Sequence, residues 1–192
     1  MAKRLIIGMS GASGAPLTVE LLRQLHKNYP EVETHLIVTK GAAMTLAQET
    51  DITLDKLRNL ASVCHSNDNI GAAPASGSFK TMGMIVVPCS MKTVAGVVSG
   101  YSDNLLLRAA DVCLKERRKL VLCAREAPLG TVHLRNLYEA SQLGAVILPP
   151  MLAYYNHPQS LEDCTCQVVN RILSQFDLDE GSYQWEGMDA AV

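Results

Sequence analysis

The sequence predicts an α/β fold built on a parallel sheet, and three observations carry that expectation. Apolar runs with β character recur at 4–8 (RLIIG), 34–38 (THLIV), 83–88 (GMIVVP), 119–123 (KLVLC) and 144–148 (GAVIL). Each run ends in turn residues, and most lead into a stretch with helical spacing of its apolar positions. Strands alternating with helices build a parallel sheet, because each return to the same sheet edge needs a crossover. Finally, 192 residues that are 48% hydrophobic suffice for one compact domain with its own core.

The elements follow in order. After the first run, a helix over 16–28 starts with Pro16 at a position where its missing N–H costs nothing. The second run leads to helices over 40–49 and 53–61, and the third to helices over 91–99 and 104–117. The fourth precedes a helix over 131–142. The fifth precedes one over 160–176, with Ser160 at its start and Glu162 and Asp163 near the positive end of its dipole. Two segments break the rhythm. Residues 64–81 (CHSNDNIGAAPASGSFKT) are small and polar and too long for an ordinary connector, which marks a candidate ligand loop. Residues 177–192 are acidic, hold the sole Trp at 185, and read as a peripheral tail that frays or lies on a neighbouring subunit. The expected organisation is a single domain over 1–176 and a tail over 177–192.

A formal net charge of -2 argues against nucleic acid or an anionic membrane as partner, so any bound anion must be held locally. The start, MAKRLIIGMSG, is too quickly broken by Gly and Ser for a signal peptide, and no run approaches a membrane span, so a cytoplasmic location is expected. The six cysteines fall largely in apolar patterns, which suits reduced, buried thiols. Cys164 and Cys166 lack a second ligand pair, and no metal is expected.

In open parallel sheets, ligands gather beyond the carboxyl ends of the strands. The first run exits through Gly8, Gly11 and Gly14 with Ser10 and Ser13. Backbone N–H groups at the following helix start would cradle a phosphate, and a tight turn without a ligand is the other reading. The spacing is not G-x-G-x-x-G, and the second strand runs into Thr39-Lys40 where a dinucleotide site needs an acid, so a mononucleotide is favoured over NAD. After the third run, Ser90 and Thr93 offer hydroxyls either to an oxyanion or only to a helix cap. The fourth places Arg125 beside Glu126, as a site pair or a surface ion pair. The fifth leads to Tyr154 and Tyr155 among prolines, as an aromatic wall or ordinary packing. Arg108 and Lys115, seven apart on one helix face, are a solvated face or an anion site at a subunit contact.

SGASGA, PASGS, PCSMKT, LLLRAADVCLKERR, REAP, LGAVILPP and YYNHPQS occur here in that order. Together, over about residues 4–174, they make the chain resemble the UbiX-type flavin prenyltransferases. The resemblance implies a three-layer α/β/α Rossmann-like (flavodoxin-like) domain with strand order 3-2-1-4-5-6. It also implies a flavoprotein that attaches a dimethylallyl group from dimethylallyl monophosphate to N5 and C6 of reduced FMN. The product, prenylated FMN, would serve a partner UbiD-type decarboxylase. The family was long described as phenylacrylic acid or 3-polyprenyl-4-hydroxybenzoate decarboxylases.

By the same resemblance, FMN would be bound by Gly11, Ala12, Ser13, Thr39, Ser90, Met91, Lys92, Thr93 and Arg125. The prenyl phosphate would be held by Arg108, Lys115, Arg125, Tyr155 and Arg171. Glu126 would handle protons at the departing phosphate, with Ser13 close by. These groups would converge from more than one subunit of a homododecamer. Ile70 stands where some members have a Trp, so the chain offers an apolar shield there without a π-face. The chemistry suits the residues: C–O cleavage adds negative charge to the phosphate, preorganised cations lower that barrier, and a carboxylate moves the protons. The nucleophile comes from the flavin.

Rival readings are an FMN-dependent decarboxylase, of an aromatic acid or of the peptidyl-cysteine type, and a flavin carrier. The cysteine decarboxylases use PASANT and an active-site His, whereas this chain has PASGS and no His in matching context. His133 and His157 are expected to be structural.

Overall fold

The computed structural model describes residues 3–179 together with 183, 185 and 187. Its strands are β1 (Lys3–Met9), β2 (Val32–Val38), β3 (Val63–Ser66), β4 (Gly83–Cys89), β5 (Lys119–Ala124) and β6 (Val146–Ile147). All pairings are parallel, in the order β3-β2-β1-β4-β5-β6, as expected. The helices are α1 (Ala15–Asn28), α2 (Lys40–Glu49), α3 (Leu54–Arg58), α4 (Met91–Ser99), α5 (Leu105–Lys115), α6 (Thr131–Gln142) and α7 (Leu161–Leu173). The helix expected over 53–61 stops at Arg58, and the one expected over 160–176 ends as a 3-10 turn at Ser174–Phe176.

Alternation along β1 divides the core. Leu5, Ile7 and Met9 pack with Leu21 and Leu25 of α1 and Val169 and Ile172 of α7. Ile6 points the other way, with Met84 and Val86 of β4 and Val94, Leu106 and Ala109 of α4 and α5. Both faces of the sheet are therefore covered, which is why its central strands read as continuous apolar runs. The core extends past the expected boundary at 176, since Leu178 is buried with the α1 and α7 residues. Of the expected tail, residues 180–182, 184, 186 and 188–192 lie outside the described residues. Tyr183 and Trp185 lie against Tyr155 of the same chain, with ring centroids 5.8 and 5.5 Å away, where fraying or contact with a neighbour was expected.

The segment expected to be a loop over 64–81 begins instead with β3. This strand pairs only with β2, and its residues alternate between half-buried and exposed, so an edge position made an apolar run unnecessary. The rest of the segment is tied to α5 and to the turn between α5 and β5. Asn67 accepts the Leu105 N–H on its carbonyl and the Leu106 N–H on its side chain. Arg108 Nε donates to the Ala75 carbonyl at 3.2 Å, and Arg118 to that of Phe79 at 2.7 Å.

The strand order sets β1 and β4 side by side at the point where the chain reverses its progress across the sheet. A crevice beyond the carboxyl ends of those two strands follows from that order.

Candidate active site

Ser10, buried just past β1, joins the two strand ends. Its N–H and its hydroxyl both donate to the Pro88 carbonyl at 3.1 Å, and its Oγ accepts the Ser90 N–H at 2.8 Å. The loop that follows is lined by small residues, and a Cβ on Gly11 would stand 3.1 Å from the Gly41 carbonyl carbon. The β1–α1 turn thus meets the start of α2 backbone to backbone. Gly14 takes φ +122°, a conformation that side-chain-bearing residues rarely adopt.

The phosphate cradle expected at the start of α1 is already filled. Glu49, at the end of α2, accepts the N–H groups of Gly14 and Ala15 on Oε2, both at 2.8 Å. Pro16 has no N–H, and the Leu17 N–H goes to the Gly14 carbonyl. The anion at this helix start is the chain's own carboxylate. Burial alone would raise the Glu49 pKa. The Gly14 and Ala15 N–H groups, the Ser13 hydroxyl and the Arg125 charge outweigh it and hold the carboxyl below its usual range.

At α4 the helix start is arranged differently. Ser90 caps it, accepting the Thr93 N–H at 3.3 Å, and its hydroxyl lies 3.1 Å from that of Thr93. The N–H groups of Met91 and Lys92, in the first turn, have no acceptor within the helix. Met91 is only 6% exposed and its side chain packs into the core, so what it offers an FMN site is its backbone N–H. Thr39 caps α2 through its Oγ1, which accepts the Ala42 N–H at 3.2 Å and leaves its own proton to donate.

Arg125 follows β5, with its N–H on the Cys89 carbonyl at 3.0 Å. Its charge helps to hold the Glu49 carboxyl below its usual range, and its backbone ties the end of β5 to that of β4. Glu126 is exposed and accepts the Ala127 N–H at 3.1 Å.

The residues expected to hold a prenyl phosphate do not meet within one chain. Tyr155 and Arg171 line a cavity of about 770 Å³ between the 151–158 segment, α7 and the described tail residues. Arg125 and Glu126 stand outside that cavity. Arg108 pairs with Asp111 at 2.6 Å, and Lys115 with Glu116 at 2.7 Å. Both lie on α5, which packs on the sheet face opposite to α7. Ile70 is 58% exposed.

Sequence reasoning missed Glu49, and it read Ser10 as a hydroxyl donor to a ligand where that side chain instead ties the ends of β1 and β4 together. No local pattern marks Glu49, because its partners are 34 and 35 residues away. It also missed a histidine pair on the sheet: His35 Nδ1 lies 2.9 Å from His65 Nε2, and His35 Nε2 lies 2.9 Å from Glu33 Oε1. His133, expected to be structural, accepts the Gly130 N–H at the start of α6. Among the described residues, no three His, Cys, Asp or Glu side chains come together as a metal site. All six cysteines are free, and burial pushes the Cys113 thiol up to about 12. Among the described residues, no helix is long and apolar enough to cross a membrane.

The chain matches known proteins over nearly its whole length. The family model described as Flavoprotein matches residues 1–173. The flavin prenyltransferase UbiX of Escherichia coli K12 is 51% identical over 188 residues, covering 96% of this chain and 99% of that protein. The crystal structure of AnUbiX (PadA1) with FMN and dimethylallyl pyrophosphate superposes with a TM-score of 0.95 at 47% identity, covering 98% of this chain and all of that one. A dodecameric FMN-dependent UbiX-like decarboxylase from Escherichia coli O157:H7 superposes with a TM-score of 0.93 at 49% identity, covering 96% and 100%. On this sequence identity and matching fold, the chain belongs to the family of UbiX-type flavin prenyltransferases, within the flavoproteins.

Proposed function

We propose that this chain transfers the dimethylallyl group of dimethylallyl monophosphate to N5 and C6 of reduced FMN, releasing phosphate. The observation that carries this reading is the meeting of the β1, β4 and β5 ends on a rim of small residues, where Ser10 joins Pro88 and Ser90, Arg125 joins Cys89, and Glu49 holds the start of α1. The 51% identity to a flavin prenyltransferase supports the same reading.

The rim fits a flavin mononucleotide. Gly11, Ala12 and Ser13 present no bulk, and Thr39, Ser90 and Thr93 bring hydroxyls. Met91 and Lys92 add first-turn N–H groups, and Arg125 adds a positive charge. These residues would hold FMN, which in its reduced form supplies the nucleophile.

The remaining chemistry belongs to the chain. Tyr155 and Arg171 bind the phosphate. Arg125 and Glu126, which stand outside their cavity, meet it only across a subunit contact, where Arg125 helps stabilise the negative charge it gains as the C–O bond breaks and the electron pair leaves with it. Glu126 gives a proton to the departing phosphate and takes one from the acceptor carbon. Ser13 keeps its hydroxyl proton on Glu49, so its oxygen is left as an acceptor. Arg108 and Lys115, on the opposite layer, reach a prenyl phosphate only from another subunit, which suits a homododecamer. The protein works in the cytoplasm and hands prenylated FMN to a UbiD-type decarboxylase.

The second reading, an FMN-dependent decarboxylase, has the descriptions of two solved relatives in its favour. Phosphate release separates the two. Prenyl transfer requires inorganic phosphate to appear only when reduced FMN and dimethylallyl monophosphate are both present. Release of carbon dioxide from an aromatic acid by the purified chain, with no phosphate released from the prenyl substrate, overturns it.

A further inference from the structure

The PASGS segment at 74–78 has no part in the chemistry above, yet two arginines hold it carbonyl by carbonyl. Arg108 Nε donates to Ala75, and the two terminal nitrogens of Arg118 donate to Gly77 and Phe79. Arg118 follows α5 through Arg117, whose φ of +54° lies in the left-handed region. The Arg117 and Arg118 N–H groups close the helix end on the Leu114 and Cys113 carbonyls, at 3.0 and 2.8 Å. The Arg118 side chain is left only 11% exposed, and a guanidinium so far out of water must be paired. The segment's carbonyls pair it.

The same guanidinium reaches a second group. Glu116 Oε2 lies 3.8 Å from Arg118 Nη2, and Glu116 Oε1 lies 2.7 Å from Lys115 Nζ. Gly77 closes the cluster, since a Cβ there would collide with Glu116 Oε1 and stand 3.0 Å from Lys115 Nζ. A lysine side chain is ordinarily a flexible stem, but this ammonium is confined between a carboxylate and a glycine backbone. The charges of Lys115, Arg118 and Lys80 all act on Glu116, so the acid anchors Lys115 while the cluster stays cationic.

We infer that Arg118 is a positioning residue for prenyl transfer. By holding the Gly77 and Phe79 carbonyls and the Glu116 carboxylate, it fixes the Lys115 ammonium in the attitude in which Lys115 meets a prenyl phosphate bound by a neighbouring subunit. A cation held in place before the reaction stabilises the charge that develops without reorganising. The inference rests on the reading that Lys115 reaches that phosphate across a subunit contact.

The test measures kcat/KM for dimethylallyl monophosphate, as phosphate released by the full chain loaded with reduced FMN. Arg118→Met is expected to lower it about tenfold, the scale of a lost charged hydrogen bond, and Lys115→Met by at least as much, with FMN binding unchanged in both. The double variant is expected to be no slower than Lys115→Met alone, because a residue acting through Lys115 then has nothing left to position. Glu116→Gln is expected to show the same loss and the same non-additivity with Lys115→Met, and it decides the matter if Arg118→Met does not fold. Multiplying losses in the double variant, an undiminished kcat/KM in Arg118→Met, or FMN affinity falling in step with kcat/KM overturns the inference. An undiminished kcat/KM in Lys115→Met overturns the underlying reading of Lys115 as well, which separates the two failures.

Discussion

Glu49 Oε2 lies 2.8 Å from the backbone nitrogen of Gly14, so the end of α2 is tied to the start of α1. The same oxygen takes the Ala15 N–H, which makes one carboxylate the acceptor for both donors that open the helix. The positive end of the α1 dipole adds to this arrangement.

Glu49→Gln is expected to lower stability at pH 7 by about 1–2 kcal/mol, since a neutral amide accepts these bonds less strongly. The sign of the pH dependence follows from the depressed folded pKa. The contribution is fully present above the unfolded value of 4.5 and is lost as the pH falls through the lower folded value. Urea denaturation of wild type and variant from pH 7 to pH 3 checks it, and the gap between the two is expected to close only below pH 4.5.

The histidine pair gives a second dependence, of the same sign but in a higher window. Glu33 accepts from His35 Nε2, so His35 Nδ1 must accept from His65 Nε2–H, and both rings are neutral in this arrangement. Burial lowers the pKa of both. For His35 it prevails over Glu33, which raises the value, and Arg4 assists it; for His65 the neighbouring His35 assists. Folded values below 6.5 mean that stability is greatest above pH 6.5 and falls as the pH drops from there towards the folded values. Thermal midpoints of wild type are expected to decline between pH 7 and pH 5, and those of a His35→Leu/His65→Leu variant to decline less. His65→Ala alone leaves His35 Nδ1 buried and unpaired, at about 1–3 kcal/mol.

Glu126→Gln is expected to retain FMN and to slow prenyl transfer by roughly a hundredfold or more, the scale of a lost general acid-base group. Single-turnover conversion of bound flavin measures it, and wild-type turnover would remove the assigned role.

Arg171→Ala is expected to weaken the prenyl monophosphate by roughly ten- to a hundredfold, as for a lost charged hydrogen bond, while FMN affinity holds. Parallel titrations of the two ligands check it, and equal loss of both would contradict the separation between rim and cavity.

What could be read from the sequence follows from how locally each feature is encoded. β1, β4 and β5 were legible because helices cover both faces and leave continuous apolar runs, and Ser90 and Ser160 marked helix starts through their own capping chemistry. The edge strand β3 has one partner and needs no such run. Glu49 was illegible because its bonds span 34 and 35 residues, and the Gly14 turn suggested a foreign anion where α2 supplies the charge. Arg108 and Arg171 were readable as cations, but their placement on opposite layers depends on the whole strand order rather than on neighbouring residues. The return of Trp185 to Tyr155 is likewise a tertiary contact, and composition alone made that segment look peripheral.

The most direct test of the account is the mass of the flavin recovered after the purified chain is incubated anaerobically with reduced FMN and dimethylallyl monophosphate. The account predicts a product heavier than reduced FMN by one C5H8 unit, formed only when all three components are present. Recovery of FMN at its original mass, with protein folded and both ligands bound, would contradict it.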